Sequence, residues 1–366
     1  MKDTRLIRKK RKQRISLVTN IIFCVIALAA LTGCIVLLLQ NYMLKNESTQ
    51  VMAELNDYKA LKEDYVYTQS DLDAYILEAT NSGGIEGRDA VLSTIRSRMS
   101  SGESTVSVLR DLFTEDVVIN ADGKFHFFPI TDALKQHDYK YDNFKVLENK
   151  QIVYVDDTNE ILSKKGIDVS RYQGEIDWKD VASDGVEYAF VRAGSRGSTE
   201  GKIVEDATFE DNMEGAIDNG IETGVYFFTQ ATTPEEAVEE AEFVLELIED
   251  YDVTYPVVYD IEEVTSDSAR TRDLTKQEYT ENCIAFCETI KAAGYTPMIY
   301  GNLKSFMIML DMTQLEEYEK WFAYYSDEVY FPYEFGIWQY SSEGSVKGIE
   351  GDVDMNVCMK DYGTEE

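Results

Sequence analysis

At 366 residues with 44% hydrophobic content, the chain is long enough for two or more domains with a sizeable core, and its composition is not that of a disordered protein. The formal net charge is −33, and residues 1–15 alone carry eight Lys/Arg against one Asp, so the remainder holds −40. A surface this acidic lacks the basic footprint that DNA or RNA binding needs, which excludes nucleic acid as a partner.

In chain order, residues 1–14 form a basic segment expected to stay in the cytoplasm. No charged residue occurs from Ile15 to Leu44, and residues 15–39 supply about the 20 apolar residues of a membrane-spanning helix. The positive-inside rule then predicts a single-pass protein of the cell membrane with everything from Gln40 onward outside. LTGC at Leu31–Cys34 gives the alternative of a lipoprotein acylated at Cys34, although IVLLL follows where such proteins turn polar. Residues 40–65 carry Leu44, Val51, Tyr58 and Tyr65 at seven-residue intervals, which predicts a short helical stalk or a weak dimer seam.

Residues 66–155 read as a small α+β accessory domain. VLSTIRSRM and VSVLRDLF are amphipathic helical stretches, and Asn120–Gly123 reads as a turn between two short strands. A polar linker, DDTNEILSKK at 156–165, leads into the last part, 166–366. There strand-like runs recur at GIDVS, YAFVRAG, GVYFFTQA, YPVVYDIEE, TPMIYGN, KWFAYY, FGIWQYSS and DVDMNV. Between several of them lie helical patterns, TFEDNMEGAIDNG, TPEEAVEEAEFVLELIED and TKQEYTENCIAFCETIKAAG, with Thr233 and Pro234 as a helix start and Gly294 as a stop. This alternation predicts an α/β fold, a TIM-like parallel barrel of about eight strands, with its active site at the C-terminal strand ends.

YPVVYDIEE concentrates the chemistry. Alternation along a strand puts Asp260 and Glu262 on one face and Ile261 and Glu263 on the other. Asp168 in the first barrel strand and Asp354 near the last can ring the same mouth, because first and last strands of a closed barrel are neighbours. Any single acid among 68 Asp and Glu is usually a surface group, but these four sit in apolar strand sequence. Two carboxyls whose environments separate their pKa values can divide acid and base roles between them. Five cysteines make no disulfide framework, and Cys283 and Cys287, spaced i, i+4, read as small buried hydrophobes. No His/Cys cluster of zinc type occurs, and GSRGSTEGKI at 194–203 departs from a phosphate loop at Arg196 and Ile203, so neither metal nor cofactor is expected.

GIDVSRYQGEIDWKDV, YAFVRAG, GVYFF, PVVYDIEE, IWQYSS and VDMN, in this order over about residues 166–362, resemble the motifs of the glycoside hydrolase family 25 lysozymes, N-acetylmuramidases that cut peptidoglycan. The resemblance implies Glu262 as general acid, Asp260 stabilising the developing positive charge, and Asp168 and Asp354 tuning the pair. It implies a sugar groove formed by Tyr172, Arg192, Tyr226, Tyr300, Trp338 and Tyr340, with peptidoglycan glycan strands as the partner. Phe227 departs from the family, which often has His in the Tyr-His-Phe triplet. The residues leave open whether water, a carboxylate or the substrate's N-acetyl group attacks. Two other classes fit less well: a divalent-metal hydrolase using the same acids, and a non-catalytic wall-binding barrel, which would need stacking aromatics more than clustered carboxyls.

Overall fold

A computed structural model describes residues 89–363, together with Ile76 and Gly87. The expected basic segment (1–14), membrane span (15–39) and stalk (40–65) lie outside the described residues. Among the described residues no helix is long and apolar enough to cross a membrane.

Eight strands close into a barrel: β5 (Lys164–Val169), β6 (Tyr188–Arg196), β8 (Glu222–Phe228), β9 (Val257–Asp260), β10 (Pro297–Asn302), β11 (Glu319–Ala323), β12 (Ile337–Gly344) and β13 (Val353–Cys358). The pairing of β5 with β6 completes the ring, and a short β7 (Ile203–Glu205) hangs on the outer end of β6. Five α-helices have both ends among the described residues, of which α3 (Phe209–Asp218), α4 (Pro234–Ile248) and α5 (Lys276–Ala292) coincide with the three expected helices. Thr233 caps α4 by accepting from the Glu236 N–H, with Pro234 at the first position, and Gly294 follows α5 at φ +94°. The other two are α1 (Thr105–Leu112), described below, and α2 (Trp178–Ser183).

The barrel is not wholly parallel, which corrects the expectation. β13 runs antiparallel to both β12 and β5. Only residues 345–352 separate β12 from β13, fewer than the dozen or so that a parallel crossover requires, so the chain turns straight back.

Alternation along each strand gives two cores. Inward side chains form a plug of Tyr188, Phe190, Tyr255, Val258, Met298, Trp321 and Ile337, with Phe190 stacked on Trp321 at 4.5 Å and Tyr188 on Tyr255 at 4.7 Å. Gly166 and Gly224 make room for it, since a Cβ at either would lie 2.1 Å from the Tyr188 ring or 2.4 Å from the Phe190 ring. Outward residues such as Val225, Phe227, Tyr259 and Ile299 pack under the helices.

No α-helix follows β11 or β12. Their outer faces are covered instead by residues 105–155, so the described part of the stretch expected as an accessory domain shares its core with the barrel. α1, the hairpin β1 (Asp116–Ala121) and β2 (Lys124–Pro129), and the pair β3 (Phe144–Val146) and β4 (Ile152–Tyr154) make this cover. The hairpin turns on Asp122 and Gly123, at φ +53° and +72°, the left-handed pair that matches strand twist. Arg110 of α1 lies 3.9 Å from the Tyr330 ring centroid, and Phe144 meets Trp338 edge-on at 5.5 Å. Gln136 bridges to Tyr333 across the same seam.

Candidate active site

The carboxyls at the barrel mouth are held by ordinary strand geometry. Asp260 is the last residue of β9, and Glu262 follows after a backbone pinned at Ile261. The Ile261 N–H donates to the Tyr300 carbonyl at 3.1 Å, its own carbonyl accepts from Ser305 Oγ at 2.9 Å, and its side chain is buried outward. Alternation therefore continues past the strand end: Asp260 and Glu262 both face the cleft, while Glu263 turns away to Lys304 Nζ at 2.6 Å. The same lysine reaches Asp122 in the β1–β2 turn at 2.8 Å. Ser305 and Lys304 carry no signal in the sequence, because they hold Ile261 and Glu263 from the segment that follows β10.

Asp168 near the end of β5 and Asp354 near the start of β13 stand opposite each other in register. β13 is antiparallel, so its N-terminal end lies at the mouth where the parallel strands finish, and all four acids line one cleft of about 430 Å³. Burial is the first cause that pushes each of these carboxyls above the ordinary range, and like charge adds to it at Asp168, Asp260 and Glu262. Asp168 and Asp260 are pushed well up; Arg192 opposes the shift at Asp260, and two amide donors oppose it at Asp168. Asp354 is pushed up to about 6, and Glu262 is raised by burial and then by Asp354. Asp260 Oδ1 is buried without a hydrogen-bond partner, and Glu262 is half-buried.

Donors from two strands, β12 and β13, converge on Asp168. Its Oδ2 accepts from Gln339 Nε2 at 2.7 Å and Asn356 Nδ2 at 2.8 Å. Asn356 Oδ1 in turn accepts from Trp321 Nε1 at 2.7 Å, and Gln339 Oε1 accepts from the hydroxyls of Tyr300 (2.7 Å) and Tyr325 (3.0 Å).

Of the expected groove residues, Tyr172, Arg192, Tyr226 and Tyr300 line the cleft. Tyr172 is 74% exposed on the rim, and the Arg192 guanidinium lies 5.0 Å from its ring centroid while pairing with buried Asp206. Trp338 and Tyr340 do not line it. Both point out of the barrel on either side of inward Gln339, and Trp338 is fully buried with its Nε1 donating to the Tyr324 carbonyl at 2.8 Å. Trp321 and Tyr325 occupy the aromatic positions of the cleft instead, both from the KWFAYY run. Counting alternate residues along KWFAYY and IWQYSS would have placed Trp321 and Gln339 on the inner faces. Phe227 also points outward, against Phe243 of α4 at 5.9 Å, so the family departure sits away from the acids.

The rim beside the cleft rests on a buried ion pair outside the barrel wall. Arg196 Nε, at the end of β6, donates to Glu240 Oε1 of α4 at 2.7 Å, and Thr229 Oγ1 donates to Glu240 Oε2 at 2.6 Å. The Arg196 guanidinium also donates to the carbonyls of Gly201 and Glu236, which ties down the loop after β6.

An eight-stranded barrel with buried carboxyls clustered at its mouth is an arrangement suited to glycoside hydrolysis. The family model for glycosyl hydrolases family 25 matches residues 167–349, and the chain belongs to that family. The YegX protein of Escherichia coli O157:H7 is 32% identical over 210 residues, 55% of this chain and 70% of that protein. The autolytic lysozyme of Clostridium acetobutylicum is 26% identical over 193 residues, 52% of this chain and 55% of that enzyme. The modular autolysin LytC of Streptococcus pneumoniae, solved with a synthetic peptidoglycan ligand, shares the fold at 24% identity and a TM-score of 0.50, with 66% of this chain covering 56% of that one. The chain thus spans little more than half the length of the lysozyme and of the autolysin. It is a glycoside hydrolase of the lysozyme class.

Proposed function

We propose that the protein hydrolyses the β-1,4 bond between N-acetylmuramic acid and N-acetylglucosamine in peptidoglycan, with Glu262 as general acid and Asp260 stabilising the positive charge at the reacting carbon. The observation that carries this reading is the pairing at Ile261: one pinned residue separates a deep carboxyl with a buried, unpartnered oxygen from a half-buried one. Glu262 has the reach and the solvent access to deliver a proton to the glycosidic oxygen as its bond to the sugar carbon breaks, and burial, then Asp354, raises its carboxyl and so favours the protonated acid. Asp260 is deeper; burial and like charge raise it, Arg192 opposes that rise, and its anion would face the oxocarbenium-like centre. The family and the autolytic lysozyme support the substrate class.

We further read residues 15–39 as a membrane anchor that holds the barrel outside the cell, so that the activity serves local wall remodelling. The test is fractionation of the producing cells together with digestion of purified peptidoglycan. Membrane-bound protein that releases fragments ending in N-acetylmuramic acid supports the reading, and protein found mainly in the medium removes the anchor from it.

A further inference from the structure

One oxygen of Asp168 is fully engaged by amide donors, and the orientation of those amides is fixed from behind. A side-chain amide can be turned end for end without changing its outline, so its partners on the far side decide which end faces Asp168. Behind Asn356 stands Trp321 Nε1, which can only donate, so Asn356 must present Oδ1 to the indole and Nδ2 to Asp168. Behind Gln339 stand two tyrosine hydroxyls, both donating to Oε1, which leaves Nε2 for Asp168.

We propose that Gln339 and Asn356 are positioning residues that orient Asp168 and favour its ionised form, and that Trp321, Tyr300 and Tyr325 lock them in that role. This deepens the reading of the cleft as a glycosidase site and rests on it. Because Oδ2 meets N–H donors from two sides, the network favours the ionised form against the burial and the Asp354 charge that raise this carboxyl, and it leaves Oδ1 as the site for a proton. The groups facing Asp168 are Asp354 across β13, Asp260 and Glu262 at the end of β9, Tyr226 of β8, Tyr300 of β10, Tyr325 after β11 and Arg192 of β6. Arg192 is tied to Asp206, so the amides supply at Asp168 the stabilisation that a free cation would supply elsewhere. With Asp168 ionised, like-charge repulsion favours a proton on the carboxyls around it.

The test reads the charge on Asp168 directly. Infrared difference spectra of the full chain in detergent are recorded across pH for wild type, Asp168→Asn, Asn356→Leu and Tyr325→Phe. The protonated-carboxyl band missing from Asp168→Asn reports Asp168. Its midpoint should rise by about one pH unit in Asn356→Leu, the scale of one hydrogen bond to a charged group. Tyr325→Phe, whose hydroxyl bonds Gln339 and not Asp168, should move it the same way by less, and it stands in if Asn356→Leu does not fold. An unmoved midpoint in the folded variants would overturn the proposal, even if the wild type cleaves peptidoglycan. A moved midpoint without cleavage would leave the proposal standing and remove the functional reading alone.

Discussion

Asp354 faces Asp168 directly across the antiparallel pairing of β13 with β5, so two carboxyls from opposite ends of the barrel sequence become nearest neighbours at its mouth. The reversal of a single strand does this. In a strictly parallel barrel a residue near the start of the last strand would lie at the opposite end from the site; here it joins Asp260 and Glu262.

The burial of Asp354 at this mouth sets a pH dependence of stability. Burial raises the Asp354 carboxyl from 3.8 to about 6, so the folded state holds a proton that the unfolded chain has released. Stability from this group is therefore fully present below the lower value and falls as pH rises through the upper one. Since Asp354 is only partly buried, we expect a loss of roughly 1–2 kcal/mol over that window. Denaturant unfolding of Asp354→Asn should show a flatter stability profile between those pH values than the wild type.

The same substitution should move catalysis. Asp354 is the second cause, after burial, of the raised Glu262 carboxyl. Without its charge Glu262 gives up its proton at lower pH, so the basic limb of the kcat/KM profile should shift to lower pH. A pH profile on soluble peptidoglycan fragments checks this, and an unshifted limb with a lowered plateau would point to a different acid.

Strand alternation separates the aromatics by role. Trp321 lines the cleft, so Trp321→Phe should raise KM for glycan fragments. Trp338 is buried beneath the 105–155 cover, so Trp338→Ala should destabilise the fold by about 3–5 kcal/mol, with KM unchanged in the fraction that remains folded. Steady-state kinetics alongside thermal melts distinguish the two effects.

Arg196 and Glu240 form a buried pair, 4% and 0% exposed. Removing only the arginine leaves a buried acid without its cation, and Arg196→Met should cost about 3–5 kcal/mol. Arg196→Met combined with Glu240→Leu should recover much of that, because the orphaned charge is gone. Chemical denaturation of the single and double variants measures the difference.

Much of this architecture was legible in the sequence where local rules decide it. α3, α4 and α5, the Thr233–Pro234 start, the Asp122–Gly123 turn and the shared face of Asp260 and Glu262 all follow from periodicity and backbone preference. The direction of β13 depends on the length of a connection, and that length is visible only once the end of β12 is known. Trp338 and Tyr340 were assigned to the groove by resemblance of motif, whereas period-two alternation assigns that face to Gln339. The covering of β11 and β12 by residues 105–155 is a tertiary contact between distant segments, which no local pattern encodes.

The central claim is that Glu262 protonates the leaving oxygen of a muramic acid glycoside. Its most direct test is digestion of purified peptidoglycan by the full-length protein and by Glu262→Gln, with each released fragment identified by mass and by the sugar at its new reducing end. The account predicts N-acetylmuramic acid ends from the wild type and a rate about 10²–10⁴-fold lower from the variant, the usual contribution of a general acid. New N-acetylglucosamine ends, or a Glu262→Gln variant that cleaves at the wild-type rate, would contradict it.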